Sequence, residues 1–264
     1  KQRSCCDELV KYDPHIEEVI YYPSSLDVNF IKYLRSKNFE KCFIFHYGLR
    51  YYLMSKLSKI KKTFFYGFFK KNKSITEEAK NRAKIWMNKK YLDTNCQIFL
   101  KEKKIKENNI IIGIGGSGPT KKWNLENYVR LIKKIKKNFP SINIIIAGGK
   151  NEKQDFEFIK SKLVNVEILS LCNFKISECI NYLSKSKIYV GNDTGFMHLS
   201  GMLGLKSFGL FGDTPTNYCD YNKLLNPIMP KNYKNITHNS KAMNQIDPDW
   251  VFEKIYKNLK ILIN

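Results

Sequence analysis

The chain contains 264 residues, 43% of them hydrophobic and 27% charged, and carries a formal net charge of +22 at pH 7. A chain of this length can bury about three quarters of its extended surface, which excludes a disordered tail and a disulfide-stapled mini-protein. Its longest apolar runs, at 109–114 and 142–147, are far shorter than the roughly 20 residues that span a bilayer. We therefore expect one large or two modest globular domains and no membrane-spanning helix.

The cysteine positions and the net charge indicate which compartment and which classes of partner are compatible with the sequence. The seven cysteines are scattered and include no Cys-x-x-Cys pair, so neither a disulfide framework nor a zinc site is indicated, and a reducing, cytoplasmic compartment fits. The excess of lysine is typical of a compositionally biased chain with a solvated surface. It also suits a partner with phosphate groups: nucleic acid, an anionic membrane face or a phosphorylated substrate. Charge alone does not choose among them.

The N-terminal part begins with KQRSCC, without a methionine or a following apolar stretch, so we expect further sequence upstream. Apolar periodicity then predicts strands at 17–22 and 41–46 and helices at 27–36, 51–57 and 76–90. This alternation predicts a Rossmann-like domain over residues 1–104 that lacks its first strand and helix. The polar, charged stretch at 101–108 marks its end.

The alternation is more regular in the second half of the chain. Predicted strands lie at 109–115, 142–148, 166–171, 188–192 and 207–212, and predicted helices at 125–138, 152–163, 176–186 and 195–203. This order predicts a parallel sheet of βαβ units and a second Rossmann-like domain over 105–246. In the remaining residues, 247–264, an apolar stripe predicts a C-terminal helix that packs back on the domains.

Ligands bind at the carboxyl ends of strands in open parallel sheets, so the loops that follow the predicted strands are the expected binding positions. The loop at 113–123 contains G-x-G-x-x-G, but the expected helix begins only after Asn124 and the next strand ends without a carboxylate. It also lacks the Lys-Ser/Thr of a Walker loop. Its glycine amides, with Ser117, Thr120 and Lys121, form a candidate phosphate site, and a plain turn is the alternative.

A second loop follows the predicted strand at 188–192. Asp193 is either the cap of the next helix or a ligand-binding carboxylate. Thr194 adds a hydroxyl, Gly195 permits close approach to backbone amides, and His198 lies one turn along on the same face.

A third loop, at 211–216, supplies Gly212 and Thr214. We expect the three loops to converge on one crevice.

The stretches 112–123, 144–149 and 191–214 resemble the nucleotide-sugar domain of glycosyltransferase family 9, the ADP-heptose:lipopolysaccharide heptosyltransferases. The most specific part is the D-T-G-x-x-H-L block at 193–199, followed by a small-residue helix and a strand that ends F-G-x-T. Segments 13–22 and 43–50 resemble the acceptor-side domain of the same family.

This resemblance implies an α/β fold of the GT-B type, in which two Rossmann-like domains face a cleft. It implies an inverting, metal-independent enzyme that moves a heptose or a related sugar from ADP-heptose to a lipopolysaccharide inner-core acceptor and needs no cofactor. The partners would be a nucleotide sugar and a lipid-linked anionic saccharide.

The resemblance also implies roles for residues of the three loops. Asp193 would hold the hydroxyls of the donor sugar, and Lys121 would stabilise the leaving diphosphate. His198 falls on the motif histidine of the family. The other donor-binding candidates are Gly116, Ser117, Thr120, Thr194, Gly195 and Gly212, with Phe174 beside the adenine.

For the acceptor side, the resemblance places the general base on an aspartate after the first N-terminal strand, so we expect it upstream of Lys1. His46 and Arg50 are acceptor-binding candidates, the arginine through an anionic group, and a helix-surface arginine is the alternative. The basic, aromatic segment 59–71 is a candidate for peripheral contact with the inner face of the cytoplasmic membrane.

Two other functions remain open. A nucleic-acid-binding module is suggested by the charge of +22 and by 16 Tyr and 17 Phe, but no helix-turn-helix, zinc-finger or RNP-type motif supports it, so we expect no nucleic-acid partner. A non-catalytic or truncated sugar-nucleotide-binding protein is the third possibility. Binding of ADP-heptose without transfer would identify it.

Overall fold

Helices and strands alternate along most of the chain. The structure, a computed structural model, describes residues 6–23, 25–67, 75–91 and 96–263. In chain order its elements are α1 (Cys6–Val10), α2 (Val28–Ser36), β1 (Lys41–Ile44), α3 (Leu49–Leu57), β2 (Lys62–Phe65), α4 (Ile75–Met87), β3 (Asn109–Gly113), α5 (Leu125–Asn138), β4 (Asn143–Ala147), α6 (Lys153–Ser161), β5 (Ile168–Ser170), α7 (Ile176–Lys185), β6 (Ile188–Asn192), α8 (Gly195–Met202), β7 (Lys206–Leu210), β8 (Leu225–Ile228) and α9 (Pro248–Ile263). They form two units: an N-terminal unit within Glu18–Thr94, and a C-terminal unit within Arg3–Glu17 and Asn95–Asn264.

The N-terminal unit is built on the parallel pair β1 and β2, with α3 as the crossover between them. Aromatic side chains pack on this pair: the ring centroid of Trp86 on α4 lies 6.0 Å from those of Phe43 and Phe64. Asp27 caps α2, because its carboxylate accepts a hydrogen bond from the Phe30 N–H at 2.8 Å. The described part of this unit is therefore one βαβ crossover with two further helices.

Two predictions for this unit differ from the structure. The strand predicted at 17–22 is wrong, because these residues are irregular. A strand is stabilised by a hydrogen-bonded neighbour, and in the described part of the unit only β1 and β2 pair. In contrast, β2 falls within 59–71, where the sequence indicates a basic surface rather than a strand. Residues 68–71 of that segment lie outside the described residues.

The C-terminal unit contains a six-stranded, entirely parallel sheet with the order β5-β4-β3-β6-β7-β8. Successive strands are added to one side of β3 and then, from β6 onward, to the other. The connections therefore diverge between β3 and β6, which leaves a crevice at the carboxyl ends of these two strands. The strand β8 is not predicted from the sequence because it contains Pro227, which cannot donate to a ladder. A proline is tolerated here because β8 is an edge strand.

Two hydrophobic layers cover the two faces of this sheet. Alternation along β3 sends Ile110 and Ile112 into the layer formed with α5, α6 and α9, and Ile111 into the layer formed with α7 and α8. On α5, the side chains fully buried in the first layer recur with helical spacing and are Tyr128, Leu131, Ile132 and Ile135. The sheet is thus covered by helices on both faces, as expected of a Rossmann-like domain.

The units divide at a different position from the predicted domains. The first domain is predicted to end at residue 104, whereas among the described residues the C-terminal unit comprises those from 96 onward together with 6–17. Apolar contacts explain the difference: Leu9, Ile98 and Leu100 pack against the second hydrophobic layer. The Ile98 N–H also donates to the Met202 carbonyl at 3.0 Å.

Candidate functional site

A cavity of about 470 Å³ lies at the carboxyl edge of the six-stranded sheet. Loops after β3, β4, β6 and β7 all contribute to its lining. The predicted donor-binding residues that line it are Gly116, Ser117, Lys121, Asp193, Thr194, Gly195 and His198. The first and second loops of the sequence analysis therefore meet at the crevice between β3 and β6, and Thr214 adds the third loop.

The buried side chain of Asn192, at the end of β6, holds the first loop against the second. Its Nδ2 donates to the carbonyls of Ile114 at 3.2 Å and Gly115 at 2.8 Å. Its Oδ1 accepts from the Trp123 N–H at 3.2 Å and lies 2.8 Å from the Tyr128 hydroxyl. All four hydrogen-bonding positions of the amide are used, so Asn192 fixes both ends of the loop.

The first glycine of the G-x-G-x-x-G pattern has a packing role. A Cβ on Gly113 would lie 1.9 Å from the Tyr189 hydroxyl, and a Cβ on Gly191 would lie 2.2 Å from the Gly113 carbonyl oxygen. Gly113 and Gly191 are register partners in the β3–β6 pair. These glycines therefore let the two strands and the Tyr189 ring pack closely below the cavity. By contrast, no atom lies within 4 Å of a Cβ built on Gly195, which leaves open space beside the start of α8.

Asp193 does not cap α8. The N-cap is Thr194, whose side chain makes no capping hydrogen bond. The Asp193 carboxylate instead lies 3.4 Å from Nε2 of His198, whose Nδ1 lies 2.7 Å from the Tyr221 hydroxyl. The side chains of Asp193 and His198 retain 15% and 27% of their exposure, so both can meet a ligand in the cavity.

Two adjacent lysines in the first loop have different surroundings. The Lys122 ammonium lies 2.9 Å from the carboxylates of both Glu152 and Asp155. Burial lowers the pKa of Lys122, but the hydrogen bonds to these carboxylates outweigh that effect and leave the pKa raised. Lys122 thus neutralises two carboxylates, whereas Lys121 lines the cavity. Lys121 is therefore placed to meet an anionic ligand.

Thr120 and Gly212 stabilise neighbouring loops. The Thr120 hydroxyl donates to Asp213, which also accepts the Lys241 N–H at 2.8 Å, and these bonds lower the pKa of Asp213. A Cβ on Gly212 would lie 2.3 Å from the backbone nitrogen of Met243, so this glycine packs on the 242–243 backbone. The structure therefore places both residues beside the cavity wall rather than in its lining.

The three remaining candidates lie elsewhere. Phe174 is 37% exposed and packs edge-on against Tyr182, with ring centroids 5.6 Å apart. His46 and Arg50 belong to the N-terminal unit and contact the same aromatic side chain, since the Tyr51 ring lies 4.6 Å from the His46 ring and 5.1 Å from the Arg50 guanidinium.

Several residues of the site are not predicted from the sequence. No carboxylate is predicted after β4, but Glu152 lines the cavity and accepts the Gly149 N–H at 2.8 Å. Its position three residues after Gly149 is the sequence feature that could have identified Glu152. Tyr218 and His238 also line the cavity. No local pattern indicates these two, because Tyr218 lies in the short helical turn at Thr216–Cys219 and His238 lies in a loop, and tertiary folding brings both to the sheet edge.

Three further features of the described residues concern metal ligands, cysteines and membrane-spanning helices. Among them, no group of three His, Cys, Asp or Glu side chains is arranged to hold a metal ion. Cysteines 42, 96, 172, 179 and 219 are free thiols. None of the helices in the described part of the chain combines the length and the apolarity that crossing a bilayer demands.

A doubly wound parallel sheet with a cavity at its switch point defines a Rossmann-like α/β domain. The family model described as glycosyltransferase family 9 (heptosyltransferase) matches residues 19–250, and the chain belongs to this family. It is 30% identical over 146 residues to lipopolysaccharide heptosyltransferase 1 of Campylobacter coli. That alignment covers 53% of this chain and 41% of the relative, so the chain matches less than half of the relative's length.

Solved structures show the same architecture. The glycosyltransferase family 9 protein of Veillonella parvula DSM 2008 has a TM-score of 0.75 at 15% identity, covering 96% of this chain and 85% of its own. The E. coli ADP-heptose LPS heptosyltransferase II has a TM-score of 0.67 at 14% identity, covering 89% and 81%. At these identities the similarity concerns the fold, and it confirms the predicted α/β, GT-B-type fold class.

Proposed function

We propose that this chain is a glycosyltransferase that moves a heptose, or a related sugar, from ADP-heptose to a lipopolysaccharide inner-core acceptor. The observation that carries the proposal is the cavity at the β3–β6 switch point, where Lys121, Asp193 and the start of α8 come together. Membership of glycosyltransferase family 9 supports the reaction class. An E. coli heptosyltransferase similar in fold, with a TM-score of 0.64, was solved with ADP, which supports the nucleotide.

The diphosphate of the donor would lie across the start of α8. The first N–H groups of a helix have no acceptor within the helix and carry partial positive charge. Open space beside Gly195 lets an anion approach them closely. Lys121 and Ser117 face this position from the first loop and add a positive charge and a hydroxyl donor.

The sugar of the donor would contact Asp193. A carboxylate accepts hydrogen bonds from two neighbouring hydroxyls, and Asp193 lines the cavity one residue before the N-cap of α8. The residue that binds the sugar therefore lies directly before the helix start that binds the diphosphate. This arrangement discriminates a nucleotide sugar from a free nucleotide.

The reaction we propose inverts the anomeric centre and needs no metal ion. The acceptor hydroxyl attacks the anomeric carbon opposite the leaving group, the bond from that carbon to the ADP oxygen breaks, and the hydroxyl proton passes to a general base. Negative charge develops on the departing diphosphate. Lys121 and the amides of α8 stabilise that charge.

The acceptor is proposed to bind through the N-terminal unit. The Arg50 guanidinium is held 5.2 Å from the Tyr22 ring and 5.1 Å from the Tyr51 ring. These contacts would orient its planar fork toward a carboxylate or phosphate of the saccharide, with His46 next to it. Because such an acceptor is lipid-linked and anionic, we also propose that this lysine-rich chain works at the cytoplasmic face of the inner membrane.

Calorimetry tests the proposal. The wild-type chain should bind ADP-heptose more tightly than ADP, and Asp193→Ala should remove most of that difference while it leaves ADP affinity within about twofold. The matched control is Glu253→Ala on α9, an exposed carboxylate, which should bind both ligands as the wild type does. Equal losses for both ligands in Asp193→Ala would contradict the sugar-binding role.

Mass spectrometry of an inner-core acceptor then measures transfer. A gain in mass of one heptose supports the transferase. Donor binding without any transfer would identify a non-catalytic sugar-nucleotide-binding protein instead.

A further inference from the structure

Tyr221 contacts the candidate site from outside the three loops that the sequence singles out. It follows the short helical turn at Thr216–Cys219. Its hydroxyl lies 2.7 Å from Nδ1 of His198, and the two rings stack with centroids 5.7 Å apart and an interplanar angle of 27°. The contact therefore restrains both the position and the rotation of the His198 ring.

The opposite nitrogen of the same ring faces Asp193. Nε2 of His198 lies 3.4 Å from the Asp193 carboxylate. The three side chains therefore form a row in which Tyr221 contacts His198 and His198 contacts Asp193. Only Asp193 and His198 belong to the cavity lining, so an effect of Tyr221 on a ligand has to pass through the histidine.

The chemistry of imidazole determines how the protons are arranged in this row. A neutral imidazole has one N–H, and a carboxylate next to Nε2 favours the tautomer with the proton there. Nδ1 is then an acceptor, and the Tyr221 hydroxyl donates to it. Burial raises the pKa of Tyr221, so the hydroxyl keeps the proton that it donates.

We propose that Tyr221 is a positioning residue that holds His198 as the Nε2–H tautomer and so aligns the Asp193 carboxylate for the hydroxyls of a sugar. This inference rests on the proposed function, because it takes the ligand of Asp193 to be the sugar of a nucleotide sugar. It also gives His198 an orienting role rather than that of a proton acceptor, since its Nε2 is protonated and its Nδ1 accepts from Tyr221.

The first test needs no ligand. Long-range nitrogen–proton NMR spectra show which ring nitrogen carries the proton, and the signals of His198, one of four histidines, are identified by their loss in His198→Gln. The wild type should show the Nε2–H form. Tyr221→Phe keeps the aromatic ring and removes the hydroxyl, and it should shift His198 toward a mixture of tautomers. An unchanged tautomer would overturn the inference.

The second test measures affinity. Tyr221→Phe should weaken ADP-heptose binding about 3- to 10-fold, the effect of one lost hydrogen bond, and change ADP binding less than about 2-fold. Tyr256→Phe on α9 is the matched control and should change neither. An equal loss for both ligands would overturn the inference, because it would mean that the hydroxyl supports the cavity as a whole.

A double-mutant cycle separates positioning from a merely structural role. The amide of His198→Gln can donate to Asp193 without help from Tyr221. Adding Tyr221→Phe to His198→Gln should therefore change ADP-heptose affinity less than about 2-fold. A full additive loss would overturn the inference. If the wild type fails to bind ADP-heptose, the proposed function itself is refuted, whereas an unchanged tautomer refutes only the role of Tyr221.

Discussion

The hydrogen bonds of Asn192 are the most direct test of how the first loop is positioned. In Asn192→Leu a side chain of similar size replaces the amide, which is fully buried. The Tyr128 hydroxyl keeps a partner, since the Gly113 carbonyl lies 2.9 Å away. Cavity water can reach Gly115, which lines the cavity. The Trp123 N–H and the Ile114 carbonyl lose their Asn192 partners.

A buried polar group left without a partner costs about 1–3 kcal/mol. Two such groups, partly offset by the added apolar contact of leucine, should lower the free energy of unfolding of the C-terminal unit by about 2–4 kcal/mol. Urea unfolding followed by tryptophan fluorescence measures this change, because Trp123 lies in the affected loop. ADP affinity should also fall, since the loop carries Ser117 and Lys121.

The matched control is Asn226→Leu on the edge strand β8. Asn226 is partly exposed, and its amide donates to the carbonyls of Leu224 at 2.8 Å and Ser207 at 3.4 Å. Water can replace these bonds, so the expected loss is below about 1 kcal/mol. If Asn192→Leu is no more destabilising than Asn226→Leu, the view that Asn192 fixes the loop is refuted.

Two further substitutions test the diphosphate site and the close packing below it. Lys121→Met should weaken ADP and ADP-heptose alike, by about 10- to 100-fold in calorimetry, because it removes a charged hydrogen bond to the diphosphate; Lys257→Met on α9 is the control, and unchanged affinity in Lys121→Met would contradict the assignment. Gly191→Ala should cost about 2 kcal/mol or more in urea unfolding, because its Cβ would lie 2.2 Å from the Gly113 carbonyl oxygen. Gly118→Ala, where no atom lies within 4 Å of the added Cβ, should be tolerated, and similar losses in the two alanine variants would refute the close-approach argument.

The local pattern of apolar and capping residues was sufficient to predict most helices and strands of the C-terminal unit. The prediction of a helix at 125–138 matches α5, because a strong apolar stripe lies within the segment and a capping residue, Asn124, immediately precedes it. The strand at 17–22 failed because apolar residues become a strand only when a neighbouring strand pairs with them. The strand β8 was not predicted because a proline argues against a strand. Its position at the edge of the sheet makes Pro227 acceptable.

The sequence also indicated most of the candidate site, because glycines, short polar side chains and a helix start follow the strands in a recognisable order. It did not show what those residues contact. Thr120 was a ligand candidate, but the structure bonds it to Asp213. Glu152 was overlooked, although it lines the cavity.

By itself the sequence determined the fold class, the family resemblance and the positions of the loops that end the strands, because periodicity and motif spacing are properties of neighbouring residues. Only the tertiary structure decided which side chains meet. Asn192 joins two loops about seventy residues apart, and Tyr221 reaches His198 across a separation of 23 residues. Such contacts depend on the order of strands in the sheet, and that order arises from packing the whole core rather than from any local segment.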